Sequence, residues 1–133
     1  MKVGIGYSNT KDSFTSGRVA AEAAISSGKI GQPGLVLAFC HHQVNAEEFS
    51  QGLRTVVGSD VPIVGGSAIG IITNDQVSYE GFPAGIAALQ TDDLSLEIAC
   101  AGEVDRDERK AGRKLAESLS GATSGQLLLI FYD

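Results

Sequence analysis

The residues best suited to chemistry are few, and they gather where strands are expected to end. Gly65-Gly66-Ser67 follows the run Val61-Pro62-Ile63-Val64 and opens a stretch with glycine at 65, 66 and 70. Glycines directly after a buried strand let backbone N–H groups converge into a concave nest that suits a carboxylate or another anion, and Ser67 adds a hydroxyl. The same glycines also suit a tight turn that needs only positive φ, and both readings stay open on the residues alone. His41-His42 directly follows the apolar run Leu35-Val36-Leu37-Ala38-Phe39-Cys40. Adjacent residues on an extended chain point to opposite sides, so a shared metal is not expected, while one imidazole lining a pocket or ligating a haem iron is physically allowed. Cys40 beside His41 is a poor catalytic pair, because such partners normally meet through space from distant segments, and Cys40 reads as core.

Familiar nucleotide and hydrolase signatures fail on residue identity. Gly4-Ile5-Gly6 lacks the third glycine of a dinucleotide fingerprint, with Asn9 in its place, and Gly28-Lys29-Ile30 lacks both the upstream glycine and the Ser/Thr of a phosphate loop. Gly66-Ser67-Ala68-Ile69 lacks the second glycine of a nucleophile elbow. An enzyme using Ser67 or Cys40 as nucleophile therefore has no visible base and orienting partner.

The elements that must position these residues read as an α/β fold with a mixed, largely parallel β-sheet, flanking helices and an antiparallel hairpin. Lys2 to Tyr7 reads as a strand, and Ser16 to Ser27 as a helix whose Val19, Ala20, Ala23 and Ala24 form a close-packing face, with Gly28 as its C-cap. Leu35 to Cys40 is apolar on both alternating sets, the pattern of a central parallel strand covered on both faces. Asn45 caps a helix from Ala46 to Val57 that ends at Gly58, and Val61 to Val64 makes a third strand. Ile71-Ile72 leads into a polar turn at Thr73-Asn74-Asp75. Gly85 to Gln90 and Leu94 to Ala101 flank Thr91-Asp92-Asp93 as the arms of the hairpin. Asp105 and Glu108 form a capping box for a last helix, Arg106 to Leu119, buried through Ala111, Leu115 and Leu119 and followed by Gly121. Leu127 to Tyr132 reads as another doubly buried strand. In open sheets of this kind ligands gather at the carboxyl ends of parallel strands, where Ser8, Cys40, His41 and Ser67 are expected to meet.

Composition narrows the function classes. The 133 residues, 43% hydrophobic and 20% charged, suffice for one domain with its own core. A net charge of −6 opposes a nucleic-acid backbone or an anionic membrane surface. The basic residues Arg106, Arg109, Lys110, Arg113 and Lys114 have acidic neighbours at Asp105 and Glu117, so that helix face reads as solvated and partly ion-paired. Cys40 and Cys100, each in an apolar stretch and without C-x-x-C spacing, read as buried free thiols, and the absence of an apolar signal or spanning run points to the cytoplasm.

Several segments, taken in order, carry a family resemblance: Gly4-Ile5-Gly6-Tyr7-Ser8, Ala20-Ala21-Glu22-Ala23-Ala24, Leu35-Val36-Leu37-Ala38-Phe39, Val61 through Gly70, and Leu128-Leu129-Ile130-Phe131-Tyr132-Asp133. Together they resemble the N-terminal FIST domain, and the strand with its Gly-Gly-Ser-x-x-Gly continuation is the most specific part. The resemblance implies a non-catalytic sensory domain that binds a small ligand, such as an amino acid, and passes the signal to a downstream protein or domain. Some relatives are described as haem-binding nitric-oxide sensors, which would give His41 or His42 an axial role. Family members usually continue into a C-terminal FIST segment, so residues 1–133 are expected to be one domain of a longer polypeptide, able to pair with a copy of itself. The site expected from residues and resemblance is Ser8, His41, Gly65, Gly66 and Ser67, with no metal and no obligatory cofactor.

Overall fold

The computed structural model describes residues 1–92, 95–119 and 127–131. The chain divides into two compact units, one made of Met1–Asp93 with Phe131–Asp133 and the other of Leu94–Ile130.

In the first unit β1 (Lys2–Ser8) leads into α1 (Ser13–Gly28), β2 (Leu35–His41), α2 (Ala46–Val57) and β3 (Ile63–Ala68). The short strands β4 (Ile71–Ile72) and β5 (Val77–Ser78) follow, and then β6 (Ala84–Gln90). The main sheet has the order β1-β6-β2-β3. The mixed α/β architecture is the expected one, but parallel pairing is confined to β2 with β3. β6 runs antiparallel to both β1 and β2, inserted between them. The crossover through α1 skips one place in the sheet, and that place is filled by a later strand of opposite direction.

Helix α1 lies directly on β1. Its Ala20, Ala21 and Ala24 are fully buried, and a Cβ at Gly4 or Gly6 would collide with the carbonyls of Ala24 and Ala20. The helix starts three residues before the expected Ser16, because the Asp12 side chain accepts from Thr15 N–H at 2.8 Å. It ends at Gly28, one residue beyond the expected Ser27, and the C-cap is Lys29, left-handed at φ 48°. The bonds Lys29 N–H to Ser26 and Ile30 N–H to Ile25 close the last turn. Gly28 is instead pressed against the Gly4 backbone, so its missing side chain serves close packing.

α2 has the expected bounds. Asn45 Oδ1 accepts from Glu47 and Glu48 N–H at 3.1 Å each, and Phe49, Leu53 and Val57 face a core shared with Val36, Ala38, Cys40 and Ile86. β2 is buried on that face; on the other Leu35 and His41 are buried and Leu37 and Phe39 half-buried, Phe39 with the Phe131 ring 5.3 Å away, so the expected cover of the second face is partial.

Other expectations are corrected. β3 does not stop at Gly65: it begins after Pro62, which has no N–H for a ladder, and runs to Ala68. The antiparallel hairpin lies at Ile71–Ile72 with Val77–Ser78, closed by Thr73 N–H to Gln76 C=O at 2.8 Å. The expected hairpin on Gly85 to Gln90 does not form over residues 95–101, because both edges of β6 are taken by β1 and β2; Asp93 and Leu94 lie outside the described residues. Cys100 is accordingly exposed rather than buried.

In the second unit α3 (Glu108–Ser118) is capped by Asp107, whose carboxylate accepts from Lys110 N–H at 2.9 Å. The expected cap at Asp105 is displaced by a turn in which Arg106 and Asp107 N–H both bond to the Glu103 carbonyl. Ala111 is buried and Leu115 and Leu119 half-buried, as the stripe requires. Arg106 pairs with Glu103 at 3.2 Å in solvent. Gly121 lies outside the described residues. Residues 127–131 form no strand, and Leu127 is 80% exposed, which overturns the doubly buried reading. Apolar character makes a strand only where a ladder partner is available, and among the described residues none pairs with this run.

Candidate functional site

The parallel register sets Ala38 opposite Gly65 and Cys40 opposite Ser67. Side chains alternate along each strand, so these positions share the face that looks toward α2. The short connection after β2 turns the chain back over that face, since Asn45 caps α2 four residues beyond His41. Strand face, turn and helix enclose a concavity of about 390 Å³, within the ordinary range for small-molecule sites.

Its walls differ in character. Val44, Phe49 and Leu53 form an apolar side, while Ser50 and Ser67 bring hydroxyl side chains and Gly65 and Gly66 complete the wall. His41 and His42 stand at one end, and among the described residues no Asp, Glu, Lys or Arg is in the lining. Gly65 is needed here, because a Cβ would meet the Ala38 backbone of the neighbouring strand. Neither Gly65 nor Gly66 has positive φ. The expected nest, and the alternative tight turn, are therefore replaced by an extended strand whose backbone lines the wall.

His41 is 7% exposed. Its backbone N–H bonds to the Pro83 carbonyl at 2.9 Å, and its Nδ1 accepts from Gln43 N–H at 3.4 Å. The His41 and His42 rings lie 3.9 Å apart with a 46° tilt, contrary to the expected opposed directions. His41 ends the strand and His42 begins a turn, so alternation stops between them. Among the described residues no cluster of three or more metal-ligating side chains forms. Burial pushes the Cys40 thiol up, which favours the unreactive neutral form.

The structure thus brings His41, Gly65, Gly66 and Ser67 together and leaves Ser8 out. Ser8 ends β1, is buried, and donates to Thr10 Oγ1 at 3.1 Å, with β6 standing between β1 and β2. The meeting of three strand ends is therefore corrected to two strands and a helix, because the inserted β6 separates β1 from the other pair. Val44, Phe49, Ser50 and Leu53 are functional candidates that the sequence reading missed. Phe49 and Leu53 were legible only as a core stripe, although the short turn before Asn45 already required the start of α2 to overlie the end of β2.

The chain matches the FIST N domain family over residues 34–133, and it belongs to that family. FIST domains are sensory domains of signal transduction. Every residue lining the concavity falls inside the matched stretch, whereas β1 and α1 precede it. No curated protein matches the chain. Among the described residues no helix is long and apolar enough to cross a membrane.

Proposed function

We propose that this chain is the ligand-binding input of a cytoplasmic signalling protein, without catalytic activity of its own. The ligand is a small metabolite, amino acids included, held in the concavity between α2 and the β2–β3 pair. The observation that carries this reading is a lining with one apolar and one polar wall and, among the described residues, no carboxylate, ammonium or guanidinium. An apolar moiety sits against Val44, Phe49 and Leu53. A polar head lies toward Ser67 and His41 at the open side, where solvent screens any charge it carries. A downstream protein or domain reads the occupied state.

A nucleophilic enzyme finds less support: among the described residues the side chains of Ser67 and Cys40 have no hydrogen bond to an imidazole, and the Cys40 thiol is held neutral. Haem also fits poorly, because no lysine or arginine of the lining would meet its propionates and the His42 ring covers part of His41. A Soret band in the purified protein, lost in His41→Ala, would reverse that judgement.

Cys40 supplies a direct occupancy probe, since it lines the concavity while Cys100 is exposed. In Cys100→Ser protein, a small molecule identified by mass spectrometry of the co-purified fraction should slow alkylation of Cys40 and raise Tm. At about one hundred times Kd the stabilisation is about 2.7 kcal/mol. Ser67→Leu, which fills the concavity, should abolish both effects in a folded protein. A full Tm shift retained by Ser67→Leu would place the ligand elsewhere.

A further inference from the structure

β3 is an edge strand, and among the described residues nothing pairs with its outer side. Val36 N–H bonds to the Pro62 carbonyl at 2.9 Å and Val36 is in register with Ile63. In a parallel ladder this engages alternate residues, so the backbone N–H and C=O groups of Ile63, Gly65 and Ser67 face outward. Natural edges are usually blunted by charge, proline, a bulge or a cover. Ile63–Ala68 is six residues long with neither a charge nor a proline, and Gly65, Gly66 and Ser67 are exposed. Ile69, the next residue, is 84% exposed and extends an apolar surface beyond the strand.

We propose that this edge docks an extended peptide segment of a partner protein, which adds as a strand beside β3 and carries lysine or arginine at its flanks. Main-chain bonds to Gly65 and Ser67 supply affinity, and one apolar side chain of the peptide covers Ile69. Charge selects the partner. The edge itself is neutral, and at its start the Arg54 guanidinium donates to the Ser59 and Val61 carbonyls on either side of exposed Asp60; the acidic groups that remain are exposed Glu47 and Glu48 in the first turn of α2, next to the lining residues Phe49 and Ser50. With a net charge of −6, a second copy is repelled while a basic peptide is drawn in. The proposal does not rest on the ligand reading: Gly65 and Ser67 border both the concavity and the edge, but their outward backbone groups take the peptide with the concavity empty.

The test uses the whole chain, with no small molecule added, and a fluorescein-labelled peptide of alternating valine and threonine with paired lysines at each end. Two twins accompany it, one N-methylated at alternate amides and one with glutamate for every lysine. Anisotropy should show saturable binding, weakened about tenfold or more in either twin. Amide exchange at Gly65 and Ser67 should slow about tenfold when the peptide is bound. The proposal is overturned if the peptide does not bind, if the N-methylated twin binds as well, or if Gly65 and Ser67 exchange at unchanged rates. Concentration-dependent protection of the same amides in the peptide-free protein, with dimer in sedimentation, would also overturn it and give the edge to a second copy.

Discussion

The two edges of the main sheet use the same residue type to opposite ends. At the β1 edge, Gly4 and Gly6 admit the backbone of α1, and Ser27 closes the rim: its hydroxyl donates to the Ile5 carbonyl at 2.8 Å and accepts from Ile5 N–H at 3.0 Å. Lys2 Nζ adds a bond to the Lys29 carbonyl at 3.2 Å. At the β3 edge, Gly66 has nothing within 4 Å of the place a Cβ would occupy, and no side chain caps the strand. A glycine buried under a helix serves packing, and a glycine on an open edge leaves the backbone accessible. The difference separates an edge closed by helix packing from one that, among the described residues, keeps its backbone open.

Substitution at one glycine from each edge sharpens this contrast most. Gly6→Val forces a branched side chain into the Ala20 carbonyl and should cost about 3 kcal/mol or more, read as a lower midpoint in urea denaturation. Gly66→Val meets open space and suits an extended strand, so its midpoint should stay within about 0.5 kcal/mol of the parent. Equal losses in the two variants would show that the β3 edge is covered in solution.

The closed edge was partly legible in the sequence, and the open edge was not. Ala20, Ala23 and Ala24 announced a helix lying close on its strand, and the Asn45 cap with the stripe through Phe49 and Leu53 fixed α2. Strand neighbours were another matter, because pairing is non-local. Nothing near Gly85 to Gln90 says that this strand will slide between β1 and β2, and that insertion alone removes Ser8 from the site and the second arm from the expected hairpin. Gly65-Gly66 misled for a related reason. Glycine pairs usually mark turns, and only the contact with Ala38 on the neighbouring strand explains why an extended strand keeps Gly65. The apolar run at 127–131 carried a strand pattern whose partner the pattern could not supply.

A smaller effect tests the closure of the β1 edge. Ser27→Ala removes both bonds to Ile5 at an exposed position, where water can replace them in part, and should cost about 1 kcal/mol. Exchange of the Ile5 amide should accelerate, while exchange of the outward amides of β3 stays as it was. An unchanged Ile5 rate would mean that the helix backbone alone shields this edge.

The smallest effect lies in the caps of the two helices that flank these edges. Hydrogen bonds from the Thr15 hydroxyl and from Thr15 N–H hold the Asp12 carboxyl below its ordinary value of 3.8. A carboxylate depressed on folding contributes stability that is present above its unfolded value and is lost as pH falls through the folded one. Acid should therefore loosen the start of α1, the helix that closes β1, whereas Asn45 at the start of α2 does not titrate and keeps its bonds to Glu47 and Glu48. Asp12 is fully exposed in this turn, so screening keeps the effect modest. Asp12→Asn preserves a side-chain acceptor and should leave Tm at neutral pH nearly unchanged, while flattening the fall of Tm between about pH 4.5 and pH 3. If parent and variant lost stability along the same curve, the acid sensitivity would have to come from carboxylates other than this cap, and the two helix starts would be equally indifferent to pH.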